Sequence, residues 1–335
     1  DLCDNVRKLV FNEDTKIKFS DFKCDKIKLF KNFDKSIQRY LKFIESGHQP
    51  IYLVYTNRKC DMINSIVRKS IFNNTKNRYE PGELILFNNY YKSLKETYYT
   101  SQQMYVEKVE EELIDLSQID IQEIFKTKKI VTDSLNKCCL CNSKVERDSL
   151  CGCKLCNRCI NEWLNTMFVC PSCFINVEGG VISVKDDTKL SLKLNDFFNL
   201  FKGKIFKIYK LTLNNEDTIK TIHEKSKNDY NNFIEDIKEN LKDIKSYIDK
   251  KYKKNKLFNG IMLNLWESFY QKNIDVLADI CYGYCITTHK SQGSNYKVVF
   301  VDMENMITCN QNKKESYRCL YTAITRTCKY LNILM

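Results

Sequence analysis

The sequence predicts an α/β fold: a parallel-sheet domain whose two halves stand at the ends of the chain, with a long insertion between them. Two apolar runs and one break in pattern carry this expectation. Ile51-Tyr52-Leu53-Val54-Tyr55 and Lys297-Val298-Val299-Phe300-Val301-Asp302 lack regular polar alternation, as strands covered on both faces do. Between them the pattern changes to short alternating segments, a cysteine cluster and a charged helix.

Residues 35–46 place Ile37, Leu41 and Ile44 at helical spacing with Tyr40 between them, and Gly47 ends that helix. The strand over 51–55 follows, with Thr56-Asn57-Arg58 at its carboxyl end. From Asp61 to Phe72 the spacing is helical again, with Met62, Ile63, Ile66, Val67, Ile71 and Phe72 on one side. Strand, polar turn and helix make half of a doubly wound unit. Pro81-Gly82-Glu83 opens a turn before Leu84-Ile85-Leu86-Phe87, and partial alternation from Tyr98 to Val109 predicts small antiparallel strands. Residues 181–184 and 205–209 read as further strands. Residues 224–257 predict a charged helix with one apolar stripe, from Tyr230 and Phe233 to Ile244 and Ile248. Near the end, 297–302 is the second buried strand, 317–326 a short helix and 330–334 a third strand. There is no internal repeat.

Composition narrows the class. With 43% hydrophobic residues and only 9 Gly and 3 Pro among 335, the chain has bulk for two or three cores, which excludes disorder and collagen. No apolar run reaches the roughly 18 residues of a spanning helix, so no membrane partner is expected. The opening Asp-Leu-Cys-Asp-Asn resembles neither an initiator segment nor a signal peptide, which predicts that residue 1 lies mid-protein. A formal charge of +12 favours polyanionic partners, although AT-rich coding accounts for the lysines nearly as well.

Seventeen cysteines are many for this length, and nine of them fall between Cys138 and Cys173. Such clustering points to metal in a reducing, intracellular compartment rather than to disulfides. Cys138 with Cys141, Cys151 with Cys153, Cys156 with Cys159, and Cys170 with Cys173 form four close pairs. Eight soft thiolates so arranged suit two tetrahedral Zn²⁺ ions, leaving Cys139 over. The spacing resembles a RING finger in an all-cysteine form. That resemblance implies Cys138, Cys141, Cys156 and Cys159 for one ion, and Cys151, Cys153, Cys170 and Cys173 for the other. It also places Ile160, Trp163 and Pro171 along a groove for a ubiquitin-conjugating enzyme or another protein. Phe174 stands where active RING ligases commonly carry a basic residue, which favours a structural or docking role over ligase activity.

A second resemblance lies at the two ends. Ile286-Thr287-Thr288-His289-Lys290-Ser291-Gln292-Gly293-Ser294-Asn295-Tyr296, the strand after it and Tyr321-Thr322-Ala323-Ile324-Thr325-Arg326 resemble motifs V and VI of superfamily 1 helicases. The branch is the RecD-like and Dda-like one, with its UvrD-like C-terminal domain. Val54-Tyr55-Thr56-Asn57-Arg58 is similar to motif IV, and Pro81-Gly82-Glu83 with Phe87-Asn88-Asn89-Tyr90 to the start of that branch's small inserted barrel. The resemblance implies a RecA-like domain interrupted by a β-barrel-like insertion that contains the RING-like zinc module and a helical segment. The expected division is 1–80 for the first part of the second RecA-like domain and 81–134 for the start of the barrel. The zinc finger takes 135–176, the rest of the insertion 177–274, and the second part of the RecA-like domain 275–335.

Each motif has a physical rationale. Arg326 would be an arginine finger, its planar and permanently charged fork suited to the equatorial oxygens of a γ-phosphate. Arg58, at a strand's carboxyl end, would meet the same phosphates, so the two guanidinium groups should converge at one sheet edge. Gln292, Gly293 and Ser294 would form a turn against the nucleotide. Thr287, Thr288, His289 and Lys290 offer donors to the backbone of single-stranded DNA. Simpler roles exist for each: a hydrogen-bonded structural histidine for His289, surface ion pairs for Arg58 and Arg326, and core packing or base stacking for Tyr90 and Tyr91.

A motor also needs a phosphate-cradling G-x-x-x-x-G-K-[ST] loop and an acidic pair for Mg²⁺, and neither occurs in these residues. An N-terminal RecA-like lobe binding ATP and Mg²⁺ is therefore expected ahead of residue 1, and the chain alone should be inactive. The expectation is the C-terminal motor lobe of an ATP-dependent DNA helicase for replication or repair. AT-rich composition with this domain combination suggests a large DNA virus, acting in a viral factory or host nucleus. The alternative is a RING-type ubiquitin ligase or a zinc-dependent docking module.

Overall fold

The structure, a computed structural model, describes residues 2–11, 25–73, 76–117, 147–148, 154–155, 175–178, 181–185, 187–252, 256–309 and 312–335. The eight cysteines expected to bind zinc lie outside the described residues. The elements begin with α1 (Leu2–Phe11), β1 (Ile27–Phe30), α2 (Phe33–Glu45), β2 (Pro50–Val54) and α3 (Asn57–Ile71). Next come β3 (Leu84–Phe87), β4 (Tyr91–Lys92), β5 (Thr97–Tyr98), β6 (Gln103–Asp115), β7 (Arg147–Asp148), β8 (Lys154–Leu155), β9 (Ile175–Glu178) and β10 (Val181–Val184). The chain continues through α4 (Thr188–Asn199), β11 (Ile205–Leu213), β12 (Thr218–Ile222), α5 (Glu224–Tyr252) and α6 (Lys256–Phe269). It ends with β13 (Ile280–Tyr282), β14 (Cys285–Thr287), β15 (Tyr296–Asp302), α7 (Met303–Thr308), α8 (Lys313–Thr325) and β16 (Thr327–Leu334). Two compact units result, one of residues 1–110, 210–221 and 278–335, the other of 111–209 and 222–277.

The first unit is a mixed α/β structure around a five-stranded sheet of order β1-β16-β15-β2-β14, every neighbouring pair parallel. Side chains alternate between faces, and each face has its own core. Ile51, Leu53, Val299, Val301, Leu331 and Ile333 meet Leu2 and Val6 of α1 and Leu320, Ala323 and Ile324 of α8. Tyr52, Val54, Val298 and Phe300 meet Ile37, Tyr40 and Phe43 of α2 and Ile63 and Val67 of α3. Phe300 is the hub of the aromatic face, with ring centroids 5.2 Å from Tyr40, 5.5 Å from Tyr52 and 6.0 Å from Phe43. This double cover is why the central strands are continuously apolar in sequence.

Capping sets the helix starts. Asn32 accepts from the Lys35 amide at 3.0 Å, Thr56 from that of Lys59 at 3.3 Å and Asn312 from that of Glu315 at 3.2 Å. Each satisfies an amide that the first helical turn leaves unpaired. Helices α3 and α8 therefore begin four residues before the apolar spacing alone places them.

Where the small barrel is expected, the described residues form a five-stranded sheet of order β12-β11-β6-β3-β13, with β4 and β5 paired as a separate hairpin. A buried polar cluster ties this sheet to the parallel one. The Glu83 carboxylate accepts from Arg68 Nε at 2.7 Å and from the Tyr284 hydroxyl at 2.9 Å, and is fully buried. Burial pushes the Glu83 carboxyl up, while Arg68 and Tyr284 pull it back.

The second unit packs α4, α5 and α6 around Phe197, Phe201, Phe206 and Phe233. The stripe predicted for 224–257 is buried in α5 at Phe233, Ile234, Ile237, Leu241, Ile244 and Ile248. Asp187, buried, caps α4 through the Leu190 amide and also accepts from Tyr247, Tyr252 and Lys251. No described helix is long and apolar enough to cross a membrane.

Arg68→Ala should destabilise the first unit by about 3–5 kcal/mol, because it strands the Glu83 carboxylate. A carboxyl whose folded pKa is raised loses stability as pH rises through that value. The deficit in denaturation midpoint should therefore be larger at pH 8 than at pH 5; an equal deficit at both would rule out an unpaired carboxylate as its source.

Candidate functional site

In a parallel sheet every strand enters at one edge and leaves at the other, so the motif residues sort by edge. At the carboxyl edge, Thr287 lies in register with Val54. One turn of 3₁₀ helix, Thr288–Ser291, follows, closed by the Ser291 hydroxyl donating to the Thr288 carbonyl at 2.7 Å. Thr287 and Thr288 are buried, and the Thr288 hydroxyl donates to the Val54 carbonyl at 3.2 Å. Those two threonines therefore hold the turn in place, while His289 and Lys290 face solvent. The His289 ring lies 5.9 Å from that of Tyr55, and Lys290 Nζ donates to Asn88 Oδ1 at 2.8 Å.

Arg58 shares this edge. It is exposed in the first turn of α3, immediately after β2. The connection is clamped by Asn305, whose Oδ1 accepts from the amides of Tyr55 at 2.9 Å and Thr56 at 3.1 Å. Among the described residues, no carboxylate pairs with Arg58. Sequence reasoning missed Asn305, although its own amide bond to Asp302 is an N-cap signal that the sequence Asp302-Met303-Glu304-Asn305 carries.

Arg326 occupies the opposite edge. It caps the end of α8 and precedes β16, whose first residue, Thr327, lies level with Tyr296 at the start of β15. Its Nη1 donates to the Ser294 carbonyl, its Nε to the Thr322 carbonyl and its Nη2 to Thr325 Oγ1, each at 3.3 Å. All three acceptors are neutral, and no described carboxylate offsets the charge. Gln292 and Gly293 are exposed beside it, and Gly293 sits at φ +90°. The structure therefore brings Arg326 together with the Gln292-Gly293-Ser294 turn.

Arg58 and Arg326 stand at opposite edges of the parallel sheet, which corrects the expectation that they converge at one edge. Tyr296 and Thr327 begin their strands, whereas Val54 ends β2; the rise of a strand separates those levels by roughly 20 Å. A residue that follows one parallel strand and a residue that precedes another always fall on opposite edges.

One further group of donors lies where the 3₁₀ turn meets α8. His289, Glu315 and Cys319 bring an imidazole nitrogen, a carboxylate oxygen and a sulfur within 4.8 Å of one another, a donor set of the kind zinc takes. Burial first, and then the Glu315 charge, push the Cys319 thiol up to about 11, so it is protonated at neutral pH.

Residues 282–334 match the model of the UvrD-like helicase C-terminal domain. That segment contains β14, the 3₁₀ turn, β15, α7, α8 and β16. An uncharacterized protein, R530, of Acanthamoeba polyphaga mimivirus is 26% identical over 336 aligned positions, covering 97% of this chain and 55% of that protein. The Pif1 helicase from Candida albicans is a structural neighbour at 11% identity and a TM-score of 0.27, over 90% of this chain and 50% of that one. The chain thus spans about half the length of each.

Gly293→Ala tests the turn beside Arg326. No atom lies within 4 Å of where the methyl group would stand, so the whole effect is backbone strain at positive φ. A loss of about 1–2 kcal/mol is expected in chemical denaturation; wild-type stability would mean that the turn relaxes to negative φ.

Proposed function

We propose that this chain is the second, C-terminal RecA-like motor lobe of an ATP-dependent DNA helicase of superfamily 1. One observation carries the reading: Arg326, on the segment that matches the helicase domain, presents a charge held only by neutral acceptors next to a glycine turn. A fork so placed suits the γ-phosphate of an ATP bound to a preceding lobe that also supplies the Mg²⁺ site. Arg326 and the Gln292-Gly293-Ser294 turn then form the nucleotide edge.

The carboxyl edge takes single-stranded DNA. His289 and Lys290 contact the strand's backbone, Thr287 and Thr288 position them, and Arg58 adds a phosphate contact here instead of at the nucleotide. Closure of the two lobes around ATP would move this surface along the strand, and opening would reset it. Without its partner lobe the chain binds DNA but does not hydrolyse ATP. The cysteines between Cys138 and Cys173 hold two Zn²⁺ ions in a RING-like docking module, for which the four close Cys pairs are the support. Origin in a large DNA virus fits the mimivirus relative.

The edge assignment is tested in a protein that contains both lobes. Arg326→Ala should lower DNA-stimulated ATP turnover by about 10³-fold, the scale of a lost arginine finger. Arg58→Ala should weaken binding to single-stranded DNA and flatten its salt dependence by about one phosphate contact. If Arg58→Ala instead abolishes turnover with DNA affinity intact, the two edges have been assigned wrongly. Elemental analysis of the chain should return about two zinc ions; none would remove the zinc module.

A further inference from the structure

We propose that Tyr90 and Tyr99 form a base-stacking platform for single-stranded DNA beside the turn that carries Lys290. The inference rests on the DNA-binding reading above and assigns the strand a second, base-directed contact.

The β4–β5 hairpin pairs Tyr91 with Tyr98 and Lys92 with Thr97, which sets Tyr90 opposite Tyr99 at its open end. Alternation along a strand sends successive side chains to opposite faces. Tyr91 and Tyr98 accordingly point inward onto Phe87, with the Phe87 and Tyr98 centroids 4.4 Å apart and the rings nearly parallel. Tyr90 and Tyr99 point outward, 61% and 65% exposed, with centroids 6.2 Å apart and planes at 71°. Lys92, two residues from Tyr90, lies on the same outward face and is exposed. The choice between core and stacking is thus resolved residue by residue: Tyr91 fills the core, and Tyr90 has an aromatic partner but no cover.

The pair is held rigidly against the turn expected to touch the strand. Ahead of Tyr90, Asn88 and Asn89 donate to the two oxygens of Asp279 at 2.9 and 3.0 Å, and Asn88 accepts from Lys290 Nζ. Behind Tyr99, Ser101 adopts φ +67°, a strained value for a non-glycine residue. Its amide donates to the Phe87 carbonyl at 2.8 Å and its hydroxyl to the Lys290 carbonyl. Both ends of the hairpin are therefore fastened to Lys290. Two exposed rings flanked by Lys92 and Lys290 combine π-faces with cations, the composition that takes a base and its phosphate. An apolar peptide would find no use for the lysines.

The test measures binding of the chain to oligothymidine and to an abasic strand of equal length, by fluorescence anisotropy. Tyr90→Ala and Tyr99→Ala should each weaken oligothymidine about tenfold, the size of a lost base stack, and leave the abasic strand unchanged. Tyr90→Phe and Tyr99→Phe should restore wild-type affinity, since the ring carries the contact. Alanine variants that keep their oligothymidine affinity, or that lose both strands equally, overturn the platform while leaving DNA binding standing. A wild-type chain that binds neither strand overturns the DNA-binding reading as well. Unchanged melting curves are expected for all four variants because both rings are exposed.

Discussion

The common direction of β2, β14, β15 and β16 governs everything else in the first unit. Because these strands are parallel, each segment leaving a strand collects at one edge and each segment about to enter a strand collects at the other. The two edges differ chemically for that reason alone. One gathers Arg58, His289 and Lys290 around the start of α3 and the 3₁₀ turn; the other gathers Arg326 and the glycine turn. Under the proposed motor reading, the nucleotide and the DNA strand would take different edges.

The residues from Thr288 to Ser294 connect the edges. At one end the Thr288 hydroxyl is anchored on the Val54 carbonyl, and at the other the Ser294 carbonyl receives Arg326. Helix α8 spans the same distance, with Glu315 and Cys319 near His289 and Arg326 at its far end. Both links rest on a sheet whose two faces are each covered by a packed core.

Much of this was legible in the sequence. The buried strands, the stripe of α5 and the helices around Ile37 and Ile63 follow from periodicity, because strands covered on both faces and one-sided helices leave distinct patterns. Helix starts were displaced because capping by Thr56 and Asn312 extends the helix beyond its apolar residues. Thr287 and Thr288 look like solvent donors in sequence and are buried in the fold, the Thr288 hydroxyl bonded to the Val54 carbonyl. The rule that ligands gather at strand ends places Arg58 at the carboxyl edge, but it does not say that Arg326, which precedes β16, stands at the other edge. Asn305, Asn88 and Ser101 carry no motif and emerge only from their partners.

Residue order by itself determined the element types, the buried faces and the local chemistry of the loops, since each depends on neighbours a few positions away. Which loops share an edge was decided only in three dimensions. Thr56 and Asn305 lie 249 positions apart and Ser101 and Lys290 lie 189 apart, yet each pair is hydrogen-bonded. Strand order and direction, which no local pattern encodes, bring those pairs together and send Arg58 and Arg326 to opposite edges.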